Sequence, residues 1–193
     1  MELVPAPLLS AALSIFLFLA LCAALALVVV SLRRPTTMPL AIAAGLVVTA
    51  TLVVTISPVD ISPILGLILS VLAVTVSVLG GNPITRRVLD AAAGQRVKET
   101  PDGGIVLLRR DDDDDAPKTL MRGGTTIGYL ERVAVTLAII AGFPEAIAVV
   151  VAVKGIGRFS ELGEPEARER FIIGTLASLV WACVIGALVR LAI

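Results

Sequence analysis

The sequence predicts an all-α, polytopic membrane protein with about five transmembrane helices and a small cytoplasmic loop. Of its 193 residues, 57% are apolar and 17% are charged, whereas soluble domains are about 45–50% apolar and about 25% charged. The apolar residues also form long runs, and a helix that crosses a bilayer needs roughly 20 of them. These observations exclude an ordinary soluble globule, a disordered chain and a disulfide scaffold.

Five segments have the length and composition of a membrane span. Four contain no charged residue, and the fourth in chain order contains one, Glu145. We therefore predict retained membrane helices rather than a cleaved signal, since no basic residue precedes the first segment. The segments are Leu8–Leu32, Thr36–Val59, Ile61–Thr85, Val133–Val153 and Phe171–Val189.

The polar stretch between the third and fourth segments divides the chain into three regions. These are a membrane region at 1–85, a loop at 86–127 and a second membrane region at 128–193. A short helix is predicted to continue from the third span through Ala93. Two β-prone runs around Pro101-Asp102-Gly103-Gly104 then favour a hairpin. The acidic run Asp111–Asp115 is predicted to stay solvated.

Basic residues in the loops predict the orientation of the chain. Nine Lys and Arg residues lie between Arg86 and Arg132, and short loops rich in such residues stay in the cytoplasm. Five spans then place the N-terminus outside and the loop 86–127 in the cytoplasm. The stretch 154–170, with four basic residues, would lie outside, against this rule. A re-entrant fourth segment would place it inside and reverse the last helix.

Several classes of function lack the residues they need. The net charge is zero, which argues against a nucleic-acid partner. The chain has no histidine and two isolated cysteines, Cys22 and Cys183, so it offers no predicted metal site, cofactor or catalytic group. No Walker or dinucleotide-binding motif is present. A membrane enzyme therefore has little support.

The fourth segment contains the principal candidate site. Gly142, Pro144 and Glu145 predict a break in the helix with an acid beside it, because proline removes a backbone donor. Transporters use broken helices to bind ions, so Glu145 is a candidate ion or proton site. It is alternatively a structural acid, or it begins a second half-helix of a re-entrant pair. Its possible charge partners are Arg132, Lys154, Arg158 and Arg190.

The last span has a row of small residues four positions apart. Such rows allow helix backbones to approach closely, so we predict that this face packs on another helix, within the chain or between subunits. Tyr129 and Arg132, at the start of the fourth span, are predicted to be anchors at the membrane surface. The row consists of Gly174, Ser178, Ala182 and Gly186.

The C-terminal third contains a recognisable order of short motifs. Its residues are Gly128–Arg132, Gly142–Ala146, Lys154, Arg158–Leu162 and Ile173–Ala182. In this order the region resembles a group of uncharacterised bacterial multi-pass membrane proteins, and the Ala- and Val-rich composition is similar to that of a high-GC actinobacterium. The resemblance covers less than a third of the chain and implies no activity. Some members of that group carry a His- and Asp-containing first helix, which this chain lacks.

Two hypotheses about function follow from these features. In the first, the protein is a structural or assembly component of the bacterial inner membrane, acting through helix packing and the cytoplasmic loop. In the second, it is a small ion- or proton-linked channel or transporter that uses Glu145. Both predict partners in the bilayer, either further copies of the chain or other membrane proteins.

Overall fold

The computed structural model describes residues 5–33, 36–57, 59–93, 124–157 and 165–193, and every regular element in these ranges is a helix. The predicted β-hairpin, the acidic run and Arg158 lie outside the described residues. The helices are α1 Ala6–Arg33, α2 Thr37–Ile56, α3 Pro63–Ala93, α4 Gly124–Ile140, α5 Ala146–Gly157 and α6 Pro165–Ala192.

Four of the described helices, α1, α2, α3 and α6, are long and apolar enough to cross a membrane. Their 20 to 31 residues give lengths of about 30 Å or more at 1.5 Å per residue. The corresponding four predicted spans are confirmed as helices. So is the predicted extension of the third span, since α3 ends at Ala93. The membrane character predicted from the composition is consistent with this bundle.

The four long helices pack around an apolar core and turn other apolar side chains outward. Ile64 and Met38 are 78% and 73% exposed. Large exposed apolar patches are rare on soluble monomers, so these outer faces suit contact with lipid. The core includes Leu17, Leu21, Val28, Ala43, Val47, Leu69, Ala73, Val76, Ile185 and Leu188.

Helices α3 and α6 lie antiparallel and define two ends of the bundle. The Ile61 amide donates to the Ala192 carbonyl at 3.0 Å, and at the opposite end Gly174 packs against Thr85 and Leu89. We call the end where α3 finishes and α6 begins the loop end, and the other the distal end. The short links from α1 to α2 and from α2 to α3 make these neighbours antiparallel, so α1 ends at the loop end.

The fourth predicted span is a hairpin of two short helices. Helix α4 ends at Ile140 and α5 begins at Ala146. Gly142 has a φ of 74°, and the amides of Phe143 and Gly142 donate to the carbonyls of Ala138 and Ile139 at 2.8 and 3.0 Å. These contacts form a Schellman motif, which closes the C-terminus of a helix. The predicted break is therefore present, but the predicted count of five spans is not confirmed.

The hairpin enters the bundle and returns to the end from which it started. Its turn lies near the distal end, because Gly142 is close to Arg190, and Ile139 is close to Gly186. Helix α5 then runs back until Lys154 reaches Phe171 near the start of α6, 5.8 Å from the ring centre. The two arms of the hairpin therefore start and finish at the same end of the bundle, and residues 124 and 157 both lie toward the loop end.

Candidate functional site

The hairpin carries three charged side chains into the bundle near the loop end. Glu131 and Arg132 lie on α4 and are 7% and 2% exposed, and the side chain of Lys154 on α5 is 17% exposed. We call these three residues the charged cluster. The sequence predicted Arg132 as an anchor at the membrane surface, whereas the structure buries it between α3, α4 and α6.

Neutral groups from two other helices surround the Arg132 guanidinium. Its Nε donates to the Val78 carbonyl at 3.2 Å. Its two terminal nitrogens donate to Ser178 Oγ at 2.9 Å and to Asn82 Oδ1 at 2.8 Å. Its central carbon lies 5.4 Å from the centre of the Tyr129 ring, within the range of a cation–π contact. One arginine thereby connects α3, α4 and α6.

Two glycines make room for this arginine. A Cβ at Gly81 would overlap the Arg132 side chain, and a Cβ at Gly128 would lie 3.3 Å from a terminal guanidinium nitrogen. Pro83 also lies within α3, and proline cannot donate the usual bond to the carbonyl four residues back, that of Leu79. The Leu79 carbonyl therefore lacks its usual helical donor, one turn before Pro83 and close to Asn82.

Glu131 forms an ion pair with Lys154 across the hairpin. The Lys154 Nζ contacts Glu131 Oε2, whereas Glu131 Oε1 is buried without a hydrogen-bond partner in the described part of the chain. Such an unpaired buried oxygen costs free energy, because it has lost its hydration. The pair links the two arms of the hairpin but leaves the carboxylate only half satisfied.

Arg132 lies inside the apolar part of the bundle, whereas Lys154 lies nearer its rim, beside Phe171 at the start of α6. Asn82 lies four residues before Arg86, and Ser178 lies eight residues after Arg170. At 1.5 Å per helical residue, Arg132 is therefore about 6–12 Å inside the nearest charged positions of α3 and α6. One turn deeper, Ser77 Oγ and Thr136 Oγ1 lie 2.8 Å apart in a buried hydrogen bond.

The predicted site residues of the hairpin turn lie at the other end of α4. Gly142, Pro144 and Glu145 are all exposed, and Glu145 precedes the first residue of α5. This is the half-helix start that the sequence allowed. Arg190 is exposed and lies beside Gly142. Of the four possible charge partners, Arg132 and Lys154 belong to the charged cluster. The role of Glu145 as an ion or proton site stays a prediction.

The small-residue row of α6 packs within the chain. Gly174 lies against α3, the hydroxyl of Ser178 accepts from Arg132, and Ala182 is fully buried. A Cβ at Gly186 would lie 3.2 Å from the Thr136 carbonyl oxygen of α4. Close approach along this row is what brings Ser178 within reach of Arg132.

Sequence reasoning named Arg132 and Lys154 but missed how they are used, and it missed Asn82 and Glu131 as site residues. One sequence feature could have pointed to Asn82. Ser77 and Asn82 are polar residues of α3 on either side of the pair Gly80-Gly81. Polar side chains in a membrane helix usually face other helices. Among the described residues, no group of three or more potential His, Cys, Asp or Glu metal ligands occurs.

Comparison with known proteins gives no relative. No protein-family model matches the chain, and neither the curated proteins nor the solved structures yield a significant match.

Proposed function

We propose that this integral membrane protein moves an ion across the bilayer and that the charged cluster is its binding site. The observation that carries the proposal is the re-entrant hairpin, which buries Glu131, Arg132 and Lys154 inside an apolar bundle. Re-entrant and broken helices at membrane depth are tolerated where protein or a water-filled cavity covers them. Ionisable residues in such places are functional by default.

Stability alone is a poor reason to keep these charges. Transferring an ion out of water costs several kcal/mol even after relaxation, and well-packed apolar residues often stabilise a protein more than a buried ion pair. Here one oxygen of Glu131 also lacks a partner in the described ranges. A role in binding a mobile ion explains why the chain retains a cluster that a purely structural core would not need.

We propose that several copies assemble to form the transport unit, because four spans and one hairpin are few for a complete pathway. Helix α5 has no buried residue along its described length. Its outer face exposes Val149, Val153 and Ile156 at 63%, 65% and 79%. This apolar face suits either lipid or a neighbouring copy.

Ion flux through vesicles tests the proposal. We expect purified protein in liposomes to carry a current under an applied potential, and Lys154→Gln to change its size or selectivity. Arg190→Gln is the matched control, since it removes a cation at the distal end of the same bundle. Absence of flux for the wild-type chain would refute transport.

We also propose that the loop end faces the cytoplasm and that both termini of the bundle lie outside. Besides Arg132, six basic residues of the described ranges lie at or near the loop end, whereas Arg190 lies at the distal end, and positive residues favour the cytoplasmic side. The re-entrant hairpin also removes the conflict over residues 154–170. The six are Arg33, Arg86, Arg87, Lys154, Arg168 and Arg170.

Labelling from one side of the membrane tests this orientation. In a background with Cys22 and Cys183 replaced by alanine, an impermeant maleimide added outside cells should label Glu145→Cys and not Gly157→Cys. Both positions are exposed, so the contrast reports sidedness. With the loop 86–127 in the cytoplasm, a single crossing by residues 133–153 would reverse this pattern, because Gly157→Cys would then lie outside. A phosphatase fused after Ile193 distinguishes the arrangements, since five spans would leave it inactive in the cytoplasm.

A structural or assembly role is the second candidate. It is favoured by α5, which contacts the rest of the bundle chiefly through α4 and whose apolar face is not covered by other described residues. Isolation from native membranes under mild detergent should then recover a stoichiometric membrane partner. Recovery of this chain alone, together with measurable flux in vesicles, would decide for transport.

A further inference from the structure

We infer that the charged cluster binds a small monovalent anion, drawn to it by the combined positive charge of Lys154 and Arg132, with Glu131 as a tethered competitor. The inference deepens the proposed function and rests on it, because both take the charged cluster as the ion-binding site. It specifies the sign and size of the ion, which the proposed function leaves open.

The charge balance of the cluster favours an anion. Arg132 and Lys154 contribute two positive charges and Glu131 one negative charge, and all three side chains are more than four-fifths buried. The acceptors that hold Arg132 are neutral, so they do not offset its charge. A buried net charge of one is costly, and a monovalent anion would cancel it.

The hydrogen-bond inventory favours the same ligand. An arginine has five N–H groups and a lysine three. The described contacts use three from Arg132 and one from Lys154. Within the described contacts the cluster therefore has more N–H donors than acceptors, whereas a cation would need acceptors. The unpaired oxygen of Glu131 is the one buried acceptor in excess within the cluster.

Hydroxyl groups extend this donor-rich surface along α6. Thr175 and Ser178 are 9% and 5% exposed, and residues three or four apart share one face of a helix. Phe171, four residues before Thr175, lies below the Lys154 ammonium at 5.8 Å. The face of α6 turned to the hairpin therefore runs from the lysine to the arginine and carries two hydroxyls between apolar side chains.

Glu131 occupies the position that an outside anion would take beside Lys154. Its carboxylate accepts from Lys154 through one oxygen, and the other oxygen has no described donor. The carboxylate is therefore incompletely held. An arriving anion can replace it beside Lys154, and removal of its charge should favour the external ligand.

The single tryptophan of the chain supplies a binding signal. Trp181 is 6% exposed and packs on Gly80, the neighbour of the Gly81 on which Arg132 packs. Iodide quenches tryptophan emission on close approach. We expect iodide to quench Trp181 in the purified full-length protein saturably, with chloride as a competitor and ionic strength held constant with gluconate.

Opposite effects of two neutralising variants distinguish an anion site from a merely structural cluster. Lys154→Gln should weaken iodide binding about tenfold or more, the effect of losing one charged contact. Glu131→Gln should strengthen it several-fold. Arg190→Gln should leave it unchanged. Weakening by both cluster variants, or quenching that rises linearly without saturation, would overturn the inference.

Thermal unfolding provides a second measurement of binding for variants in which Trp181 changes position. Saturable chloride binding should raise the thermal unfolding midpoint, because a ligand that binds only the folded state stabilises it. Vesicle flux separates the two proposals. Iodide binding without any flux would leave the anion site standing and refute transport, whereas a cation-selective current without iodide binding would refute the anion site alone.

Discussion

Acidic and basic side chains lie at both ends of the α4–α5 hairpin. They are buried at the loop end and exposed at the distal end. At the loop end, Arg132 is 2% exposed and is held by three described hydrogen bonds. At the distal end, Glu145 and Arg190 are exposed and flank a tight turn. The difference lies in what packs around each end, since α3 and α6 enclose the first and leave the second open.

The depth of a charge along a predicted segment is therefore a poor guide to its burial. Glu145 lies near the middle of the apolar run 133–153 and Glu131 lies outside it. Folding the run into a hairpin reverses this order. The turn carries Glu145 to the distal surface, while the start of α4 carries Glu131 and Arg132 between neighbouring helices.

The largest effect is expected from Arg132→Gln. It should reduce the free energy of unfolding by about 3 kcal/mol or more, because Ser178, Asn82 and the Val78 carbonyl would lose a charged donor in a buried site. Unfolding of purified protein by denaturing detergent measures this. Arg190→Gln, the control, should change stability by less than about 0.5 kcal/mol. Equal losses for both variants would contradict the contrast between the two ends.

The next largest effect is expected from Gly81→Ala. The added methyl group would overlap Arg132, and overpacking of a core costs about 1–3 kcal/mol. The same unfolding assay applies. Gly45→Ala is the matched control, because a Cβ there meets no atom within 4 Å and alanine favours a helix over glycine by about 1 kcal/mol. If Gly81→Ala is no more destabilised than Gly45→Ala, the packing at Arg132 is looser than described.

A smaller effect is expected at the turn, from Gly142→Ala. Its φ of 74° costs other residues about 1–2 kcal/mol, so stability should fall by about that amount. Gly155→Ala, in the body of α5 and with open space around its Cβ, should be neutral or stabilising. If the two variants behave alike in thermal unfolding, the Schellman turn does not determine the hairpin.

The smallest effect on stability is expected from Glu145→Gln, within about 0.5 kcal/mol, since the side chain is exposed. Ion flux in vesicles gives the sharper test of this residue. If the charged cluster is the site, Glu145→Gln should leave flux close to that of the wild type. A loss of flux as large as that of Lys154→Gln would return the ion or proton role to Glu145.

Much of the secondary structure could be predicted because it depends on local properties of the chain. Uninterrupted apolar runs gave the four long helices, and the glycine and proline at 142 and 144 gave the break in the fourth segment. None of these features needs knowledge of a distant contact, since length, turn chemistry and helix ends act over a few residues.

The charged cluster could not be predicted in the same way, because its partners are far apart in sequence. Arg132 meets Asn82 and Ser178, which lie 50 and 46 positions away. Glu131 meets Lys154 at a separation of 23. No periodicity within one helix specifies such contacts. They arise only when the glycines and small residues of α3 and α6 allow three backbones to come close together.

The amino-acid sequence by itself therefore determined a membrane bundle of apolar helices, its one broken segment and the row of small residues along α6. Only the tertiary structure decided that the broken segment returns to the loop end and that Arg132 is buried while Glu145 is exposed. The physical reason is that hydrophobicity and turn chemistry are local, whereas the burial of a charge depends on which neighbouring helices supply its hydrogen-bond partners.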